Sequence, residues 1–357
     1  MTTDRWLATV ALAACSCLPM VLTAQSSVAR NATLTAVDGV RVGHFTLNQR
    51  PTGCTAVLID GDGAIGGVSQ RGGAPGTRET DLLRPGNLVE RVNGISLAGG
   101  SAYGLDAAGG VMKWLEERGL GYDVRIAKVP IVPAAILFDL QVGGQPTVRP
   151  DASCGYRAAA SASTAPVQEG SLGAGAGATV GKLGGGSGSR APMKAGIGSA
   201  AIVLSNGLAV GALVAVNAVG DIVDPATGRI VAGALNPDGS FADARLLLRS
   251  GALIVPPRPG ENTTIAVVAT NARLTKEQVN RVALMADDGL ARAIVPSHTL
   301  GDGDTVFALA TGRWSGEPNA TVIGALAAEV LADAIVRAAT QATGVAGIKA
   351  ARDLAAR

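Results

Sequence analysis

Glycine occupies 49 of the 357 positions, roughly twice ordinary use. It falls between short apolar runs along almost the whole chain, not in one low-complexity tract. A chain punctuated this often folds into closely packed strands, tight turns and helices of small residues. Hydrophobic residues make up 47% and charged residues only 16%, so there is ample material for a large core. Thirty Lys and Arg against 28 Asp and Glu leave a formal charge of +2, which provides no basic field for nucleic acid. Four cysteines and two histidines argue against a zinc cluster, a haem site or a disulfide scaffold. Mean hydropathy is +0.31, which raises the question of a membrane span. The longest uncharged stretch, 195–220, carries Ser205-Asn206-Gly207 at its centre and reads as a buried hairpin, not a spanning helix.

The N-terminus differs in kind. Arg5 precedes an apolar run from Trp6 to Ala24, followed by Gln25-Ser26-Ser27, with small residues at Ser27-Val28-Ala29. This is the layout of an export signal over 1–29, and it predicts a periplasmic or secreted protein. Leu12-Ala13-Ala14-Cys15 also resembles a lipobox, so a lipid anchor at Cys15 is the variant of this reading. Signal removal would leave Cys54 and Cys154, either as buried thiols or as one disulfide.

Residues 30–357 read as one domain. Thr55–Ile59 is a strand ended by Asp60-Gly61-Asp62-Gly63, and 71–76 is a loop. Tyr103–Glu117 has helical spacing. Leu183–Arg190 is a glycine-rich surface loop. Thr275 with Gln278 forms a capping-box pattern opening a helix to about Ile294, and Val322–Ala339 is a last Ala-rich helix. Strands and helices come in blocks, which favours a layered α+β sandwich over a doubly wound sheet.

Several motifs fail on inspection. The run 173–182 invites a phosphate-loop reading, but Ala176 and Leu183 stand where glycine and Ser or Thr are required. No G-x-S-x-G elbow accompanies His44 or His298. More informative is Pro256–Glu261, a Pro-rich approach that ends at Asn262-Thr263-Thr264 and runs into the apolar strand Ile265–Thr270. A threonine at such a junction can attack the preceding carbonyl and break its own chain, which leaves a free α-amine beside its hydroxyl. That amine has an ordinary pKa near 8, so it serves as a general base near neutrality. Such a site needs a carboxylate, a cation and oxyanion donors. The Asp302-Gly303-Asp304 turn, Lys182 after a glycine run and Asn217 at a strand end offer them.

The ordered strings R-G-G-A-P-G-T-R-E-T-D-L-L (71–83), N-G-I-S-L-A-G-G-S-A-Y-G-L-D-A-A-G-G-V (93–111), V-P-A-A-I-L-F-D-L (132–140), G-A-G-A-T-V-G-K (175–182), N-T-T-I-A-V-V-A-T-N-A (262–272) and H-T-L-G-D-G-D-T-V-F-A (298–308) carry a resemblance. The chain resembles the DmpA-type L-aminopeptidase/D-esterase and β-peptidyl aminopeptidase family, which includes nylon-oligomer hydrolases, over about residues 34–343. The resemblance implies a four-layer αββα sandwich, like that of N-terminal-nucleophile hydrolases but with different connectivity. It also implies a precursor cut between Asn262 and Thr263 into chains 30–262 and 263–357 that stay together as a homo-oligomer of processed units. By family position Thr263 is the nucleophile, and Lys182, Asn217, Asp302 and Asp304 support it. Phe138 stands where some relatives place a tyrosine donor. His298 is expected to close the turn ahead of Asp302.

The function expected is release of N-terminal residues from small peptides, amides or esters, without cofactor or metal. Two other readings stay open. One is an acyltransferase resembling ornithine acetyltransferases; the other is a non-catalytic exported binding protein.

Overall fold

The strand 263–270 shows why this sequence builds layers. Every residue of Thr263–Thr270 is buried, as expected of a strand covered on both faces. Successive side chains point to opposite sides. Ile265, Val267 and Ala269 join one apolar cluster, whereas Ala266 and Val268 join another. The first cluster also holds Val57, Ile59, Ile95 and Leu97, so it is the seam between two sheets. The second holds Val279, Val282, Ala286, Ile323, Ala327 and Leu331, so it joins a sheet to a pair of helices.

The computed structural model describes residues 32–183, 190–251 and 262–355. One sheet runs in the order Val40–Thr46, Gly53–Ile59, Gly94–Ala98, Ala134–Ile136 and Thr77–Arg78. The other runs in the order Ile197–Val203, Ala209–Asn217, Thr263–Thr270, Thr305–Ala310, Ala64–Gln70 and Arg91–Val92. The helices Ala107–Glu116 and Ala152–Ala160 cover the outer face of the first sheet through Ala56, Leu58, Val111, Leu115 and Ala158. Lys276–Ala293 and Ala320–Thr340 cover the second. The result is the expected α+β sandwich of four layers, αββα.

Local chemistry accounts for the boundaries. Thr275 Oγ1 accepts the Gln278 N–H and Gln278 Oε1 accepts the Thr275 N–H, which closes the capping box. The uncharged stretch is indeed a hairpin, its strands Ile197–Val203 and Ala209–Asn217 paired antiparallel. Two expectations need adjustment. The segment expected to be one helix from Tyr103 begins as a 3-10 turn, Ser101–Asp106, before Ala107–Glu116. Beyond Thr340 there is one more short helix, Ala351–Ala355. Cys54 and Cys154 are joined as a disulfide that ties strand 53–59 to helix 152–160, which settles the alternative left open above. The expected signal, with Cys15, lies outside the described residues, as do the Pro-rich approach and most of the 183–190 loop. Among the described residues no helix is long and apolar enough to cross a membrane.

Candidate active site

Sheet topology brings the expected residues to one place. Asn217, the last residue of its strand, pairs antiparallel with Thr263, the first residue of the next. On the other side, strand 305–310 runs parallel, with Thr305 opposite Ile265. The turn that ends in Asp304 therefore arrives beside Thr263, and Asn262 forms a parallel bridge with Asp302. Strand 64–70 ends opposite Thr305, which delivers the loop 71–74 to the same edge. That loop lies flush on the turn: Ala74 N–H donates to the Asp302 carbonyl at 2.8 Å, and Gly73 N–H to that of Thr299 at 3.1 Å. A Cβ at Gly72 would stand 2.3 Å from the Asp304 nitrogen, so only glycine fits there.

Asn217, Asn262, Thr263, Asp302 and Asp304 are all buried. The Thr263 hydroxyl donates to the carbonyl oxygen of Asn262 at 2.5 Å. The same oxygen accepts the backbone N–H of Gly303 at 2.8 Å. Two donors thus polarise the carbonyl of the peptide bond that precedes Thr263, and one of them is the hydroxyl of Thr263 itself. The Gly303 donor was invisible in the sequence, where Asp-Gly-Asp reads only as a turn.

Lys182 Nζ donates to the side-chain Oδ1 of Asn217 at 2.8 Å and to its main-chain oxygen at 3.1 Å. Asn217 Oδ1 also accepts the Thr179 N–H at 3.0 Å, and Nδ2 donates to the Phe138 carbonyl at 2.9 Å. Hydrogen bonds thus link Lys182, Asn217 and Phe138, and Phe138 takes part through its backbone carbonyl.

The two acids have different partners. Asp302 Oδ2 accepts from the Thr299 backbone and hydroxyl at 2.8 and 2.6 Å. Burial, and then the negative charge of Asp304, raise its pKa. Asp304 Oδ1 accepts the Thr264 N–H at 2.8 Å. Its Oδ2 takes both the backbone N–H and the Nδ1 of His298, each at 3.0 Å. This corrects the role expected of His298: Thr299 closes the turn ahead of Asp302, and His298 grips Asp304. Behind His298 lies Asp287, whose Oδ1 is 3.7 Å from Nε2. Asp287 Oδ2 accepts from Ser69 at 2.6 Å and lies 3.4 Å from Arg71 Nε. Sequence reasoning missed Ser69 and Asp287. The signal was present for Asp287, since it shares a helical face with Ala283, Ala286 and Leu290, all buried.

The model of peptidase family S58 matches residues 32–352. An uncharacterized aminopeptidase of Mycobacterium tuberculosis is 43% identical over 350 residues, with 90% of this chain and 97% of that protein covered. A 6-aminohexanoate-oligomer endohydrolase of Kocuria is 34% identical over 319 residues, covering 84% of each. Among solved structures, the L-aminopeptidase D-Ala-esterase/amidase of Ochrobactrum anthropi, described as a variant of the N-terminal-nucleophile hydrolase fold, superposes with a TM-score of 0.62 at 20% identity. That match covers 88% of this chain and 86% of the other. With a family model spanning almost every described residue and relatives matched over most of their length, the chain belongs to peptidase family S58 and is a peptide-bond hydrolase.

Proposed function

We propose that this protein is an exported, self-processing aminopeptidase or amidohydrolase in which Thr263 is first the agent of its own release and then the nucleophile. The single observation that carries the reading is the Asn262 carbonyl, held between the Thr263 hydroxyl and the Gly303 N–H. Attack of Oγ1 on that carbonyl carbon moves negative charge onto the oxygen that Gly303 already faces. Collapse breaks the C–N bond, transfers the proton to nitrogen and leaves an ester between Asn262 and the Thr263 side chain. Water hydrolyses the ester, giving an Asn262 carboxylate and a free Thr263 amine.

In the processed enzyme this amine takes the hydroxyl proton as Oγ1 attacks the substrate carbonyl. The amine then returns the proton to the leaving group, and water, activated the same way, releases the acyl group. Asp304 anchors the strand at Thr264. Lys182 and Asn217 set a polar wall, joined to the Phe138 carbonyl. Asp302, with its pKa raised, stabilises the turn that carries Gly303. The substrates proposed are small peptides, amides or esters with a free N-terminus, and similarity to the 6-aminohexanoate-oligomer endohydrolase of Kocuria supports extending the range to short oligoamides. Processed units are proposed to associate as a homo-oligomer. Export is supported by the signal-like composition of 1–29 and by the Cys54–Cys154 disulfide, a bond that persists in oxidising compartments.

The test is a panel of aminoacyl p-nitroanilides with L-, D- and β-residues, run on wild type, Thr263→Ala and Thr263→Ser. Wild type should run as two chains on a denaturing gel and turn over part of the panel. Thr263→Ala should stay single and inactive, and Thr263→Ser should still cut. Turnover by uncut Thr263→Ala above about a thousandth of wild type would place the nucleophile elsewhere.

A further inference from the structure

Behind the nucleophile strand a chain of polar groups leads from Asp304, which anchors Thr264, to residues that self-cleavage and acyl transfer do not use. It runs from the Thr264 N–H through Asp304 and His298 to Asp287, and ends on Ser69 and Arg71. Asp287 is fully buried, Asp304 nearly so, and the His298 side chain is 17% exposed. His298 sits at φ +56°, a left-handed conformation that few non-glycine residues adopt and that histidine, like asparagine and aspartate, tolerates better than most. The backbone holds this conformation where both its N–H and its ring can reach Asp304.

Proton bookkeeping constrains what the ring does. An ionised Asp304 can only accept, so Nδ1 must carry a proton. Nε2 then faces Asp287 Oδ1 at 3.7 Å, and neither atom has a hydrogen-bond partner among the described residues. If neither carried a proton, a nitrogen lone pair would face a carboxylate in a dry site, which is repulsive. One proton placed on either atom removes the repulsion: imidazolium beside carboxylate, or neutral imidazole beside carboxylic acid.

We propose that His298 is a positioning residue, which holds the Asp304 carboxylate on the nucleophile strand only while it shares one proton with Asp287. This rests on the reading of Thr263 as N-terminal nucleophile. When that proton leaves, Nε2 is pushed from Asp287, Nδ1 is drawn off Asp304, and the anchor at Thr264 loosens. The groups that face the ring are Asp304 on its own loop, Asp287 on helix 276–293 and Arg71 beyond strand 64–70. Asp302 acts at one remove, through its repulsion of Asp304. The electrostatics agree in direction. Burial alone would lower the His298 pKa, but the hydrogen bond to Asp304 and the charges of Asp287 and Asp304 outweigh it and raise the value overall. Burial pushes Asp287 up to about 6, so the two groups compete for the proton near neutrality.

The chain has only two histidines, so ¹⁵N-histidine NMR of the processed full-length enzyme reports His298 with one companion, His44. We expect Nδ1 of His298 to stay protonated while Nε2 titrates above the ordinary histidine value, and the alkaline limb of kcat/KM to coincide with that titration. Asp287→Asn removes the charge that favours the proton, so both the titration and the limb should move down together by one pH unit or more. His298→Asn suits the left-handed backbone and keeps the backbone N–H to Asp304. It should lose this limb and at least tenfold in kcat/KM, assayed on its processed fraction. An alkaline limb that stays in place in Asp287→Asn, or a His298→Asn enzyme within twofold of wild type, overturns the proposal. Thr263→Ala separates the two claims: an active Thr263→Ala enzyme overturns the nucleophile, whereas an inactive one with an unmoved limb in Asp287→Asn overturns only the role of His298.

Discussion

Adding a single methyl group at Gly303 tests whether the Thr263 hydroxyl acts from where it lies. A Cβ there would stand 2.8 Å from Thr263 Oγ1, 3.3 Å from its Cγ2 and 2.7 Å from the Ala74 carbonyl oxygen. The backbone at Gly303 is not in the left-handed region, so alanine is acceptable conformationally and the conflict is purely steric. It is enclosed by a backbone carbonyl on one side and the Thr263 side chain on the other, so the Thr263 side chain must give. Overpacking of this kind costs about 1–3 kcal/mol, and a displacement of reacting atoms by about 1 Å slows reaction by about 10². Gly303→Ala should therefore fold with a melting point lower by a few degrees and self-cleave at least about tenfold more slowly. The control is Gly109→Ala, in helix 107–116, where the added carbon would meet nothing within 4 Å beyond its own stretch of helix. Helix propensity should make that variant more stable by about 0.5–1 kcal/mol, with processing unchanged. The assay is a time course of precursor and product bands alongside thermal melts of both variants. Gly303→Ala that processes within about threefold of wild type would refute the placement of the hydroxyl.

Further outcomes follow from the same geometry. Asp304→Asn keeps the shape but replaces one acceptor oxygen by a donor facing Thr264 N–H or His298, so turnover of the processed fraction should fall by at least about 10²; a loss under threefold would make Asp304 a loop charge. Lys182→Met should lower kcat/KM and move its acidic limb to higher pH, because loss of a nearby cation raises the pKa of the Thr263 amine; a superimposable pH profile would remove Lys182 from the site. Cys154→Ser opens a loop of 100 residues and should cost about 2–4 kcal/mol in denaturant unfolding. Free-thiol titration of unfolded, unreduced wild type should not find Cys54 or Cys154, and an unchanged unfolding midpoint in Cys154→Ser would argue against the bond's contribution.

Much of this was legible because periodicity and turn chemistry act locally. The Ser205-Asn206-Gly207 turn, the Thr275 capping box and the Asp302-Gly303-Asp304 turn each specify structure within a few residues, and each stands in the fold where its residues place it. The positions of Thr263, Lys182, Asn217, Asp302 and Asp304 came from resemblance, and the topology explains why such distant residues meet: three strand ends converge at one sheet edge. What escaped was decided by contacts that no single segment encodes. Gly303 matters through a backbone N–H and through the absence of a side chain, and neither leaves a mark beyond an ordinary turn. Asp287 and Asp288 are adjacent acids of one helix, and the helix turns the first into the buried stripe and the second out to Arg71. The Cys54–Cys154 bond depends on a helix packing across a strand 100 residues away.

N-terminal sequencing of the purified protein bears most directly on the central claim. Self-cleavage at the Asn262 carbonyl predicts a small chain, Thr263–Arg357, carrying roughly a quarter of the 35.5 kDa mass. Its sequence should begin Thr-Thr-Ile-Ala and should be absent from Thr263→Ala. A fully active preparation that remains one unbroken chain, or a small chain that begins at any other residue, would contradict it.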